Sequence, residues 1–81
     1  MKLPRDISAK DFIIALERIG YQKTRQKGSH VRLTAKVDDE EHHLTIPLHN
    51  PLKVGTLNHI LNELSNIHHL EKKHLVKKLF E

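Results

Sequence analysis

From Ser29 to Val37 apolar and polar residues alternate. Val31, Leu33, Ala35 and Val37 share one parity; His30, Arg32, Thr34 and Lys36 share the other. A period of two is that of a strand with one face on a core and one in water. The spacing therefore predicts a strand over Ser29–Val37 with His30 on its wet face. Upstream the period changes. Phe12, Ile13, Leu16 and Ile19 recur at helical spacing behind Ser8 and Asp11, which form a Ser-x-x-Asp capping box. A helix is expected over Ala9–Ile19, ended by Gly20 in a left-handed conformation. Tyr21–Lys27 alternates weakly and reads as an edge strand, whose cations discourage pairing with other chains. Gly28 marks a turn or bulge. Leu44, Ile46 and Leu48 alternate again, giving a third strand that Pro47 limits. Between the last two strands, Asp38-Asp39-Glu40-Glu41 reads as a solvated hairpin tip.

Beyond a loop from His49, Leu57, Ile60, Leu61 and Leu64 follow the i, i+3, i+4, i+7 pattern of a second helix, with Thr56 as its cap. Ser65–His69 reads as a break. Leu70, Leu75, Val76, Leu79 and Phe80 then mark a short third helix, with Lys72, Lys73, Lys77 and Lys78 on its wet side. Helix, three sequential strands, helix and short helix make an α+β fold: a three-stranded antiparallel sheet with helices on one face.

Composition narrows the possibilities. Eighty-one residues form a single domain, 1–81, and 37% hydrophobic residues suffice for one modest core. No cysteine is present, so neither a disulfide framework nor a thiolate metal site is available. The start lacks the apolar run of a signal peptide, and no window is apolar enough to span a membrane. A cytoplasmic protein without membrane association is expected. The formal charge of +4 points toward a polyanionic partner. With three aromatic residues, Phe12, Tyr21 and Phe80, binding of single strands by stacking is disfavoured. Contact with RNA would run through phosphate, sugar and backbone shape.

The candidate chemistry gathers at Arg25-Gln26-Lys27-Gly28-Ser29-His30. A histidine can hold or release a proton near neutral pH, the glycine permits close backbone approach, and Arg25 and Lys27 can attract phosphate. An exposed strand histidine with no role is the plain alternative. Ser29 with His30 makes a poor hydrolase pair, since neighbours on a strand point to opposite faces. His42-His43 lacks partners at a recognised metal-ligand spacing. The Gly55-Thr56 helix start offers amides to an anion, or simply caps the helix.

Three motifs in order carry a resemblance: Arg25–His30, then Ile46-Pro47-Leu48-His49, then Gly55-Thr56-Leu57 with Ile60-Leu61. Together they resemble the HicA (YcfA-like) family of toxins over about residues 8–67, leaving a C-terminal helical extension from about residue 68. The resemblance implies a fold like that of a double-stranded-RNA-binding domain. It also implies an mRNA interferase of a toxin–antitoxin pair, inhibited by a HicB-like antitoxin. The family's required histidine corresponds to His30. The family's hairpin tip often carries glycines or lysines; the acidic run here argues against an RNA contact there.

The activity so implied is metal-independent endoribonuclease cleavage, with no cofactor. Neutral His30 would take the proton from a ribose 2′-hydroxyl that attacks the adjacent phosphorus. Arg25, Lys27 or Arg32 would stabilise the phosphoryl oxygens. Gly28, Ser29, Lys53 and Thr56 are further candidate RNA contacts. His49 is either a general acid or a structural residue of its loop. The rival reading is a non-catalytic module of the same fold that binds double-stranded RNA.

Overall fold

The computed structural model describes residues 5–81. The elements are α1 (Ala9–Glu17), β1 (Gln22–Lys27), β2 (His30–Val37), β3 (Glu40–Pro47), α2 (Val54–His68) and α3 (Lys72–Phe80). The strands form one antiparallel meander in the order β1-β2-β3. The α+β arrangement expected from the hydrophobic pattern is the one observed.

Ser8 caps α1 by accepting from the Asp11 amide at 3.0 Å. The α-helix stops at Glu17, short of Ile19. Residues 18–20 tighten into i→i−3 hydrogen bonds before Gly20 turns out at φ 102°. On β2, Val31, Leu33 and Ala35 are buried and His30 and Arg32 exposed, as the alternation requires. Phe12, Leu16, Leu33, Ile46, Leu57, Leu61 and Leu64 fill the core. Leu75 and Leu79 of α3 are buried with them, and Phe80 stacks on Phe12 with ring centroids 6.1 Å apart.

Beyond the end of α1, several boundaries differ from the sequence reading. β3 begins at Glu40 rather than Leu44, because the hairpin uses only Asp38 and Asp39, both left-handed (φ 52° and 66°). Two positive-φ residues suit a two-residue hairpin, so Glu40 and Glu41 are free to pair with Val37 and Lys36. Leu48 falls outside the strand, which ends at Pro47. Thr56 is not the cap of α2. Lys53 is, and its side chain, a donor only, makes no capping bond. The buried Leu52, whose amide donates to the Ile7 carbonyl, anchors the chain just before the helix starts. Finally, α2 does not break at Ser65. It runs to His68 and ends where His69 adopts φ 55°, with the Leu70 amide returning to the Ser65 carbonyl. Tyr21, read as the start of the edge strand, precedes β1 and is buried.

Candidate active site

The first hairpin positions the site. Gly28 at φ 56° and Ser29 close it in two residues, which makes His30 the cross-strand partner of Lys27. β1 carries a bulge at Thr24: Lys23 pairs with Leu33, and Arg25 pairs with Arg32. The extra residue changes the phase of the strand. Strict alternation from the buried Tyr21 would send Arg25 and Lys27 toward the helix side. The bulge returns both to the wet face, beside His30 and Arg32.

That face reads as rungs across the sheet. Nearest the Gly28 turn, Lys27 stands beside His30, which stands beside Pro47. On the next rung Arg25 faces Arg32, which faces Thr45. Arg25, Lys27, His30, Arg32 and Thr45 together line an open depression of about 250 Å³. Two arginines directly opposite one another repel. None of the cations in the depression has an acidic partner within 4 Å among the described residues. Further along, Thr24, Thr34 and His43 form a hydrogen-bonded row, with Thr34 Oγ1 2.9 Å from Thr24 Oγ1 and 2.8 Å from His43 Nδ1. Beyond it Lys36 faces Glu41. The four-residue separation of Arg32 from Lys36 puts Glu41 about 13 Å from the near edge of the depression. Physiological salt screens exposed charges beyond about 8 Å, so the acidic tip does not neutralise the cationic end.

His30 is exposed and makes no side-chain hydrogen bond within the described residues. The arrangement therefore offers an unengaged imidazole inside a fork of three cations. That can bind a phosphodiester and exchange a proton beside it. His49, Lys53 and Thr56 do not line the depression. His49 lies in the loop after β3, where its carbonyl accepts from the Ala9 amide at 3.3 Å. Lys53 and Thr56 sit at the start of α2. Thr45 was missed by the sequence reading; its parity on β3, shared with Glu41 and His43, was the available signal. His42 and His43 point to opposite faces, His42 toward Tyr21 and His43 toward Thr34, so they do not form a shared metal site.

A second polar cluster lies on the helix side of the sheet and was not foreseen. The Tyr21 hydroxyl is 2.7 Å from His42 Nδ1 and 2.9 Å from His68 Nε2. His42 Nε2 is 2.8 Å from a Glu63 carboxylate oxygen. Burial first, and the Glu63 charge second, push the Tyr21 hydroxyl up to about 12. Burial, then His42 and Lys78, hold His68 below the ordinary histidine range.

The architecture defines a small α+β domain that presents a cationic sheet face on the side away from its helices. The family model described as the HicA toxin of bacterial toxin-antitoxin matches residues 9–65, and the chain belongs to this family. It is accordingly the toxin of a toxin–antitoxin system, which implies an antitoxin partner. No curated protein and no solved structure matches the chain. No helix among the described residues is long and apolar enough to cross a membrane.

Proposed function

We propose that the protein is a metal-independent endoribonuclease that cleaves mRNA in the cytoplasm and is held inactive by a HicB-like antitoxin. The observation that carries this reading is the exposed, unpartnered His30 beside Arg25, Lys27 and Arg32. Like charges set opposite each other without an acid raise the energy of the free protein. An RNA phosphate placed between them relieves that repulsion.

In the proposed reaction His30 is neutral and accepts the 2′-hydroxyl proton. The 2′-oxygen attacks the neighbouring phosphorus to close a 2′,3′-cyclic phosphate, and the 5′-oxygen leaves with a proton from solvent water. Arg25 and Arg32, on one rung, neutralise the charge that grows on the non-bridging oxygens. Lys27, the direct cross-strand partner of His30, holds the adjoining phosphate. DNA, lacking the 2′-hydroxyl, is not cut. The antitoxin supplies an acidic surface complementary to this face.

The test is incubation of wild type and His30→Ala with a structured mRNA in EDTA. Cleavage by wild type alone supports the reading. Cleavage by both variants removes His30 from the chemistry. RNA binding without cleavage by either favours a non-catalytic double-stranded-RNA-binding module.

A further inference from the structure

The Glu63–His42–Tyr21–His68 network has no part in the proposed cleavage, and it ends at a second hollow. Arg18, Ile19, His68, Leu70, Leu75 and Lys78 line a hollow of about 270 Å³ where the ends of α1 and α2 meet α3. Half of the lining is apolar and half is basic, and no carboxylate contributes. Neither Arg18 nor Lys78 has an acidic partner within 4 Å among the described residues. Arg18 donates one N–H to the Leu79 carbonyl at 3.3 Å, which holds the guanidinium against α3. His68 Nε2 is taken by Tyr21, and Nδ1 has no partner. Among the described residues no side-chain nitrogen or oxygen is both buried and unpartnered. His68 Nδ1 is therefore open to solvent, and the ring lines the hollow. Leu70, Leu75 and Lys78 lie beyond the stretch matched to the family, so this feature is built by the chain's own C-terminal segment.

We propose that this hollow binds a small organic anion, and that binding takes up one proton through Tyr21. The oxyanion meets Arg18, Lys78 and the Nδ1–H of His68, while its apolar body rests on the half-buried Ile19 and Leu70, over the buried Leu75.

The coupling follows from counting donors. Tyr21 has one proton to donate and stands between two imidazoles. When His42 is neutral and donates Nε2–H to Glu63, its Nδ1 is bare and takes the Tyr21 proton. The Tyr21 oxygen then accepts Nε2–H from His68, which leaves a bare lone pair on His68 Nδ1. That lone pair repels an anion. For neutral His68 to donate from Nδ1, its Nε2 must accept from Tyr21. The Tyr21 oxygen must then accept Nδ1–H from His42. His42 keeps its bond to Glu63 and so becomes an imidazolium. One proton enters from solvent and rests on His42 against Glu63; His68 and Tyr21 end neutral. Among the groups facing His68, Lys78, His69 and His42 disfavour a charge on its own ring, as burial does, and Asp38 alone opposes them. The Glu63 carboxylate, 2.8 Å from His42 Nε2, is the countercharge that the entering proton meets.

The experiment is an NMR titration of the full ¹⁵N-labelled chain with benzoate at pH 6 and pH 8, with sulfate and benzyl alcohol as controls. The expected result is saturable shifts at the amides around Arg18, Leu70, Leu75 and Lys78, with benzoate well ahead of both controls. The benzoate Kd should rise up to about tenfold per pH unit, the limit for uptake of one proton. Lys78→Glu, on an exposed side chain, should weaken binding at least about tenfold, since a like charge replaces an attraction, without disturbing the rest of the spectrum. Tyr21→Phe should still bind benzoate but with a flattened pH dependence. Absence of saturation, sulfate binding as well as benzoate, or shifts centred on Arg25 and Arg32 would overturn the site. An unchanged pH slope in a folded Tyr21→Phe would overturn the coupling.

Discussion

The two faces of the sheet treat polar groups in opposite ways. On the wet face Arg25, Lys27, His30 and Arg32 are exposed, mutually repulsive and without acidic partners. On the helix side Glu63, His42, Tyr21 and His68 engage one another within 2.9 Å. A satisfied network stabilises and orients the elements that carry it. A like-charged cluster without an acid disfavours the free fold, which is the cost the proposed RNA contact would offset. The contrast separates an unengaged cationic face from a hydrogen-bonded one without appeal to residue type, since histidine occurs in both.

The sharpest way to break this contrast is His30→Ala. If His30 is the general base, RNA cleavage should fall by about 10²–10⁴-fold while Tm stays within error of wild type. A gel assay and a thermal melt on one preparation check both halves; a collapsed Tm would place His30 among the architectural residues. Tyr21→Phe should do the reverse. It leaves two imidazoles without their shared partner and should cost about 1–3 kcal/mol, or about 4–8 °C of Tm for each kcal/mol, with cleavage preserved.

The pH dependence of stability should belong to the helix-side cluster. His68 is held below its ordinary value in the folded state, so the unfolded chain binds more protons as pH falls through about 6.5. Stability is lost on acidification through that window and regained above it, and melts between pH 5 and 7.5 will show it. Tyr21 has the opposite sign. Its raised value favours folding below about pH 10, and that contribution disappears as pH climbs toward 12. Because the chain has one tyrosine and no tryptophan, absorbance near 295 nm reports this group alone, with a native midpoint near 12 expected. The smallest effect is Arg25→Gln. Removing one member of the Arg25–Arg32 rung should raise stability by about 0.2–1 kcal/mol. It should also lower the slope of log K for RNA against log salt by about 1. A loss of stability instead would show that the rung is not repulsive.

The elements with a strong repeat were legible. The alternation of β2 put Val31, Leu33 and Ala35 inside and His30 outside, and the stripe of α2 named its buried residues; that of α1 named Phe12 and Leu16 but missed Ala9 and Ala15, and its Ile13 and Ile19 are half-buried. These follow from periodicity, which any window of the chain displays. Boundaries were less so. Nothing local told that Asp38 and Asp39 alone would make the turn. Thr56, a better cap by type than Lys53, was set aside because burial of Leu52 fixed where α2 begins. Among the candidate site residues, His30, Arg25, Lys27 and Arg32 come together around one depression, while His49, Lys53 and Thr56 stand outside it. The dividing factor is register, which spacing does not reveal.

The sequence by itself therefore determined the element types, the faces that β2 and β3 turn to water and the family to which the chain belongs. Those depend on residue order over a few turns or rungs. Only the tertiary structure decided which polar residues meet. The bulge at Thr24 swung Arg25 and Lys27 onto the face of His30. The packing of α2 across the sheet brought Glu63 to His42 over 21 positions and His68 to Tyr21 over 47. Contacts at such separations are fixed by how the whole apolar core closes, and no local pattern encodes that closure.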